Sequence, residues 1–105
     1  MLKEAHIHLP VLDNEGHSLR HVHVALAQSL VSIFGGCTET KANGYWRDEK
    51  TGILHAEEVV RYTVAMVDSI ETTGNLRGIA KGICKAANQV CIYVAYANGT
   101  VEFVS

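Results

Sequence analysis

The chain has 105 residues, a length typical of one domain, and we expect residues 1–105 to form a single domain. Apolar residues make up 48% of the chain and charged residues 19%, which is the composition of a globular protein and excludes a disordered chain. The formal net charge of -2 argues against a dedicated nucleic-acid-binding protein, because such proteins usually carry a basic face.

Hydropathy and cysteine usage point to a compartment. No apolar run approaches the roughly 20 residues that a membrane span needs, and the first residues lack the apolar segment of a signal peptide. The three cysteines form no CxxC motif, and an odd count indicates buried free thiols in a reducing compartment. We therefore expect a cytoplasmic protein without a membrane partner.

The first third of the chain predicts one strand and one helix. Residues 3–12 alternate between apolar and polar, as in a half-buried strand, and His6 and His8 fall on its polar side. Ser18 is a candidate cap for a helix that runs to about Phe34. The apolar stripe of that helix is predicted to contain Leu19, Val22, Leu26, Leu30 and Ile33.

The middle third predicts a β-hairpin. Residues 37–46 are polar for a strand, which favours an edge position, and residues 54–67 form its partner. Residues 48–52 form the turn, with a glycine free to take positive φ. Trp46 and Arg47 belong to residue types that are frequent in interface hot spots. They are predicted to contact a partner, and the alternative for Trp46 is that it closes the end of the core.

The last third predicts a loop over 68–74, a helix over 75–88, a strand over 90–97 and a final strand over 100–104. The element order is therefore β-α-β-β-α-β-β. The simplest architecture for this order is an α+β ferredoxin-like sandwich, in which both helices cover one face of an antiparallel sheet. In that topology the first strand is central and the last short strand extends one edge.

A motif in the middle of the chain resembles a known family signature. It consists of Phe34-Gly35-Gly36-x-Thr38, then Gly44-x-Trp46-Arg47-Asp48, then Gly52 and Glu57/Glu58. This is similar to the F-x-G-x-T, G-x-W, G, E pattern of a group of small bacterial and phage-borne proteins of unknown function. The resemblance implies a ferredoxin-like fold and a phage or mobile-element setting, and it carries no catalytic residue. Many members of the larger group have export signals, and this chain departs from them in lacking one.

The polar side of the first strand predicts a contact surface. His6 and His8 point the same way, because side chains two apart on a strand share a face. Arg61 and Tyr93 are predicted to join them from neighbouring strands. Three interpretations remain: a binding surface for a small anionic or hydrogen-bonding ligand, a surface covered by a second copy of the chain, or a solvated sheet face.

The histidines do not predict a metal site. Zinc needs three or four convergent ligands, whereas His21 and His23 should point to different sides of a helix that covers the opposite face from His6. His55-x-Glu57 resembles the first half of the zinc deaminase motif, but the P-C-x-x-C half is absent. We expect no metal and no cofactor.

The cysteines predict no catalytic set either. A nucleophilic thiolate needs a nearby base, and none is evident in the sequence. Cys84 and Cys91 are predicted to lie in the core, and Cys37 to be the most accessible of the three thiols.

Two functions follow from these patterns. The first is a non-enzymatic binding or interaction protein, such as a phage or mobile-element inhibitor or a ligand-sequestering protein. It would act as a homo-oligomer, and its partners would be itself and a host protein or a small anionic ligand. The alternative is a small enzyme that uses histidine as general acid or base in a cleft between subunits, with His6, His8 and His55 as candidates.

Overall fold

The computed structural model describes residues 1–105, which form five strands and two helices. They are β1 (Leu2–Pro10), α1 (Arg20–Phe34), β2 (Thr38–Arg47), β3 (Leu54–Val67), α2 (Ile70–Ala86), β4 (Ile92–Ala95) and β5 (Val101–Val104). The strands form one sheet in the order β2-β3-β1-β4-β5, and every neighbouring pair is antiparallel. The predicted ferredoxin-like sandwich is confirmed, with β1 at the centre and β5 at one edge.

The core lies between one face of the sheet and the two helices. Alternation along β1 buries Ala5, Ile7 and Leu9 completely and leaves the residues between them on the other face. These side chains belong to one cluster of 20 buried residues with the inward sides of β3, β4 and both helices. Burying one such aliphatic side chain stabilises the fold by about 1.5–3 kcal/mol. The helices therefore occupy one side of the sheet and leave the other side free.

Helix α1 begins differently from the prediction. Its N-cap residue is Leu19, which supplies no side-chain hydrogen bond, whereas the Ser18 hydroxyl only accepts a bond from the Arg20 N–H at 3.2 Å. Ile33 is 49% exposed, so the apolar stripe does not include it. Phe34, four residues after the buried Leu30, packs against the core instead, because residues four apart share a helix face.

Helix α2 begins at Ile70 rather than near residue 75, and the predicted loop over 68–74 is wrong. Ser69 and Thr72 form a capping box: each side chain accepts a hydrogen bond from the other residue's backbone N–H, both at 3.2 Å. A capping box usually has Glu or Gln at the second position, so Thr72 gave the sequence no obvious start signal. Neither helix is long and apolar enough to cross a membrane.

The β2–β3 hairpin gives the molecule its elongated shape, with principal extents of 44 × 27 × 22 Å. Its turn is held by the Asp48 carboxylate, which accepts the Lys50 N–H at 2.8 Å, and by the Asp48 N–H, which donates to the Ile53 carbonyl at 2.9 Å. Gly52 has φ of 72°, a value that suits glycine. The turn therefore fixes the register that aligns the two long strands.

Candidate functional site

The sheet surface away from the helices, which we call the open face, collects side chains from all five strands. The register pairs His8 with Arg61, His6 with Thr63, and Trp46 with His55. Because directly paired residues point to the same side, these six side chains share one surface. Continuing the same registers adds Glu57 from β3, Tyr93 from β4 and Phe103 from β5.

The two histidines of β1 have different partners on the open face. The Nδ1 atom of His6 lies 2.9 Å from the Thr63 hydroxyl. The ring of His8 lies against the ring of Tyr93, with centroids 4.5 Å apart. Burial lowers the pKa of His8, and the nearby charges of Arg61 and His6 lower this pKa further. His8 is therefore mainly neutral at neutral pH and can accept a proton.

Aromatic rings flank this pair of histidines. Trp46 stacks on His55 with ring centroids 4.3 Å apart and planes 15° from parallel. On the other side, the edge of one ring in the Tyr93–Phe103 pair meets the face of its partner, with centroids 5.8 Å apart. Trp46 is 51% exposed and Phe103 is 66% exposed, so much of both rings is open to a ligand or a partner.

A groove of about 670 Å³ runs over the open face. Its walls include His8, Pro10, Trp46, Glu57, Tyr93 and Phe103. This volume is within the range of small-molecule sites, and Glu57 is the only carboxylate among the lining residues. The rings can hold a planar or cationic ligand, the carboxylate can balance a positive charge, and neutral His8 can act as a base.

A smaller cavity of about 250 Å³ lies beside Val11, Lys41 and Glu58. It has no aromatic residue and no histidine in its wall. The larger groove, where His8, the aromatic rings and a carboxylate meet, is therefore the better candidate for a site.

The structure brings five of the six predicted site residues together. His6, His8, Arg61 and Tyr93 share the open face, and Trp46 joins them from the hairpin rather than forming a separate site. Arg47 does not, because adjacent strand residues point to opposite sides. Its guanidinium instead donates to the Gly52 carbonyl at 3.1 Å and holds the hairpin turn.

Sequence reasoning named three of the twelve lining residues, missed the others, including Glu57, Phe103 and Pro10, and misplaced two cysteines. Glu57 was considered only as part of a family motif and of an incomplete zinc deaminase motif, and Phe103 and Pro10 were not assigned to the contact surface. Cys91 is exposed and lies in the groove wall, so its predicted core position is wrong. Cys37 is only partly exposed and is therefore not the most accessible thiol. The parity of β3, which places Glu57 on the same side as Arg61, was the signal that could have found the carboxylate.

The remaining three histidines lie elsewhere, and His17 pairs with Asp13 in the turn before α1. His21 is exposed on α1. His23 points into the helix layer, where its ring bonds to the Tyr62 hydroxyl and to the Pro10 carbonyl. Neither His21 nor His23 reaches the open face, in agreement with the expected divergence of the histidines.

No protein-family model matches the chain, and no curated protein matches it. Solved structures do match. A phage SAM lyase in complex with S-methyl-5′-thioadenosine superposes with a TM-score of 0.69 and 16% identity, over 99% of this chain and 87% of that chain. A phage SAM lyase in the apo state gives a TM-score of 0.67 and 17% identity, over 97% and 85% of the two chains.

A Bacillus cereus protein related to NIF3 also matches, with a TM-score of 0.56 and 16% identity, over 99% of this chain but only 26% of that chain. At such identities the likeness shows a shared fold. The first functional interpretation, a non-enzymatic binding protein, is nevertheless contradicted, because the two structures that match along nearly their whole length are those of an enzyme.

Proposed function

We propose that this chain is an enzyme that cleaves S-adenosylmethionine (SAM) and releases S-methyl-5′-thioadenosine in the groove of the open face. The observation that carries the proposal is the match of 99% of the chain to a phage SAM lyase structure that contains S-methyl-5′-thioadenosine. The groove supports it independently, because its volume and its aromatic walls suit a nucleoside.

Each part of SAM has a chemical counterpart on the open face. The adenine ring is planar and stacks favourably on aromatic side chains such as Trp46 and Tyr93. The sulfonium is a cation, which is attracted to ring faces and to the carboxylate of Glu57. The carboxylate of the amino-acid tail is an anion, and Arg61 and His6 are the donors available to it.

The reaction breaks one carbon–sulfur bond of the sulfonium, and the bonding electron pair moves to sulfur, which becomes a neutral thioether. A lyase adds no water, so the γ-carbon of the four-carbon fragment must replace its lost bond to sulfur with a bond formed inside the fragment. Its carboxylate can attack the γ-carbon and close a lactone, with sulfur as the leaving group. Alternatively, neutral His8 removes a β-proton and the fragment leaves as an unsaturated amino acid. The identity of this product distinguishes the two routes.

The proposal includes a second copy of the chain over the open face. Trp46, Phe103 and Val101 are each at least half exposed there, which is unusual for the surface of a monomer. The groove is open to solvent on one side, and a second copy would close it and exclude water from the reacting bond. The free thiols fit a reducing compartment, and we place the enzyme in the cytoplasm of a cell that carries a phage or mobile element.

The test is to incubate the purified protein with SAM and to follow S-methyl-5′-thioadenosine and the four-carbon product by mass spectrometry. S-adenosylhomocysteine is the matched control, because its neutral sulfur is a poor leaving group and should remain uncleaved. Release of S-methyl-5′-thioadenosine from SAM alone supports the proposal. No release, together with no SAM binding by calorimetry, overturns it.

Native mass spectrometry of the same sample tests the assembly. We expect two or more copies, and we expect Trp46→Ala together with Phe103→Ala to shift the protein toward the monomer. A wild-type protein that is monomeric at micromolar concentration overturns the inter-subunit part of the proposal.

A further inference from the structure

One histidine outside the groove makes two short hydrogen bonds that link three elements. In the first turns of α1, the Nε2 atom of His23 lies 2.7 Å from the Pro10 carbonyl oxygen at the end of β1. Its Nδ1 atom lies 2.7 Å from the hydroxyl of Tyr62 in β3. Tyr62 is only 1% exposed and His23 is half-buried, so these bonds form a partly buried connection between α1 and the two central strands.

The chemistry of the partners assigns the proton positions. A carbonyl oxygen can only accept, so Nε2 of His23 must carry the hydrogen and donate it to Pro10. In the neutral ring Nδ1 is then an acceptor, and the Tyr62 hydroxyl donates to it. The hydroxyl is well suited to remain protonated, since burial, together with the nearby Glu39 and Cys37 side chains, raises the pKa of Tyr62 to about 12. The Pro10 carbonyl thereby sets the tautomer of His23, and the Tyr62 hydroxyl supplies the donor that this tautomer accepts.

Pro10 connects this arrangement to the groove. It pairs with Val59, and both residues belong to the groove wall. Proline has no N–H to donate to the sheet, so the end of β1 has fewer ladder hydrogen bonds than an ordinary strand end. The next residue, Val11, donates its N–H to the Glu58 carbonyl at 3.0 Å, directly beside Glu57. The hydrogen bond from His23 to the Pro10 carbonyl therefore restrains a strand end that lacks one ladder hydrogen bond, and this strand end is a wall of the groove.

We infer that His23 is a positioning residue: it fixes the Pro10 wall of the groove from the helix side, and the Tyr62 hydroxyl donates to its other ring nitrogen. This inference rests on the proposed function, because the groove is the site assigned to SAM. His23 touches no substrate, and its effect passes through the backbone of β1. Substrate affinity therefore depends on a residue on the far side of the sheet.

The test compares kinetic constants for SAM in wild type, His23→Asn, His23→Gln and Tyr62→Phe. His23→Asn loses the donor that reaches Pro10, and we expect KM to rise about fivefold with kcat changed less than about twofold. His23→Gln carries an amide donor near the position of Nε2 and should restore most of the affinity. Tyr62→Phe should fall between wild type and His23→Asn. His21→Asn, on the exposed side of the same helix, should match wild type.

A second readout separates failure of this inference from failure of the proposed function. NMR of ¹⁵N-labelled protein should show His23 protonated at Nε2, and amide exchange at Val11 should accelerate in His23→Asn but not in His21→Asn. Both measurements need no enzymatic activity. Protonation at Nδ1, or unchanged Val11 protection in His23→Asn, overturns the inference even if SAM is cleaved. A lower melting temperature of His23→Asn with unchanged KM overturns it as well.

Discussion

His8 and Tyr93 lie side by side on adjacent strands, with ring centroids 4.5 Å apart and ring planes tilted by 30°. The contact removes part of the imidazole from water, and the electrostatic effects of Arg61 and His6 lower the pKa of His8 further. All three effects disfavour the protonated ring. The same environment that keeps His8 unprotonated at neutral pH therefore makes the fold sensitive to acid.

The free energy of unfolding should decrease as the pH falls below 6.5, the ordinary pKa of histidine. The pKa of His8 is lowered in the folded protein, so the unfolded chain binds a proton first. The contribution is fully present above 6.5 and is lost as the pH falls through the lower folded-state pKa. Urea unfolding between about pH 5 and about pH 7.5 measures this slope. His8→Gln should flatten it, and an equal slope in both proteins contradicts the assignment.

Glu57 and its neighbour Glu58 offer a matched pair for testing the groove. Glu57 lies in the groove wall, whereas Glu58 points to the opposite side of the sheet. Glu57→Gln should lower kcat/KM for SAM by about tenfold, because a negative charge beside the sulfonium is lost, although the exposure of Glu57 to solvent weakens that attraction. Glu58→Gln should remain within about threefold of wild type. Equal effects of the two substitutions would remove Glu57 from the site.

Arg61 and Arg47 form a second matched pair. Arg61 lies opposite His8 on the open face, and Arg47 is bound to the hairpin turn. Arg61→Ala should raise KM for SAM about tenfold through the loss of a charged partner for the substrate carboxylate. Arg47→Ala should leave KM unchanged and slightly lower the melting temperature. A selective effect of Arg47→Ala on KM contradicts this arrangement.

Gly78 is a site where stability can be gained. It lies inside α2, and a Cβ added there would meet no atom within 4 Å. Gly78→Ala should therefore raise the free energy of unfolding by about 1 kcal/mol, because alanine is the better helix former. Gly35→Ala is the control of opposite sign: Gly35 has φ of 87°, where a side chain is strained. Urea denaturation of both variants measures the difference, and a destabilised Gly78→Ala contradicts the prediction.

Much of the fold was predictable because buried and exposed positions alternate along a strand, and this appears in the sequence as alternating apolar and polar residues. The alternation of β1 placed Ile7 inside and His8 outside, and the pattern of β3 placed Arg61 on the same side as His8. The start of α2 was missed because its capping box uses Thr72. The residue propensities over 68–74 favour a loop, but the reciprocal hydrogen bonds of Ser69 and Thr72 start the helix there.

The site was less predictable than the fold. Trp46 and Arg47 were treated as one unit, although adjacent residues of a strand point to opposite sides. The groove combines residues from β1, the hairpin, β4 and β5, and only the register of all four pairings brings Glu57 and Phe103 onto one surface. A sequence pattern read element by element contains no information on that joint register.

The two edge strands of the sheet, β2 and β5, constrain how copies of this chain can associate. At one edge β2 presents Glu39 and Lys41 to solvent, and at the other edge β5 is only four residues long. Charged or short edge strands are poor templates for the addition of a strand from another chain, so open-ended fibre growth is disfavoured. Association is thereby restricted to broad surfaces, which favours small closed assemblies with a fixed number of members.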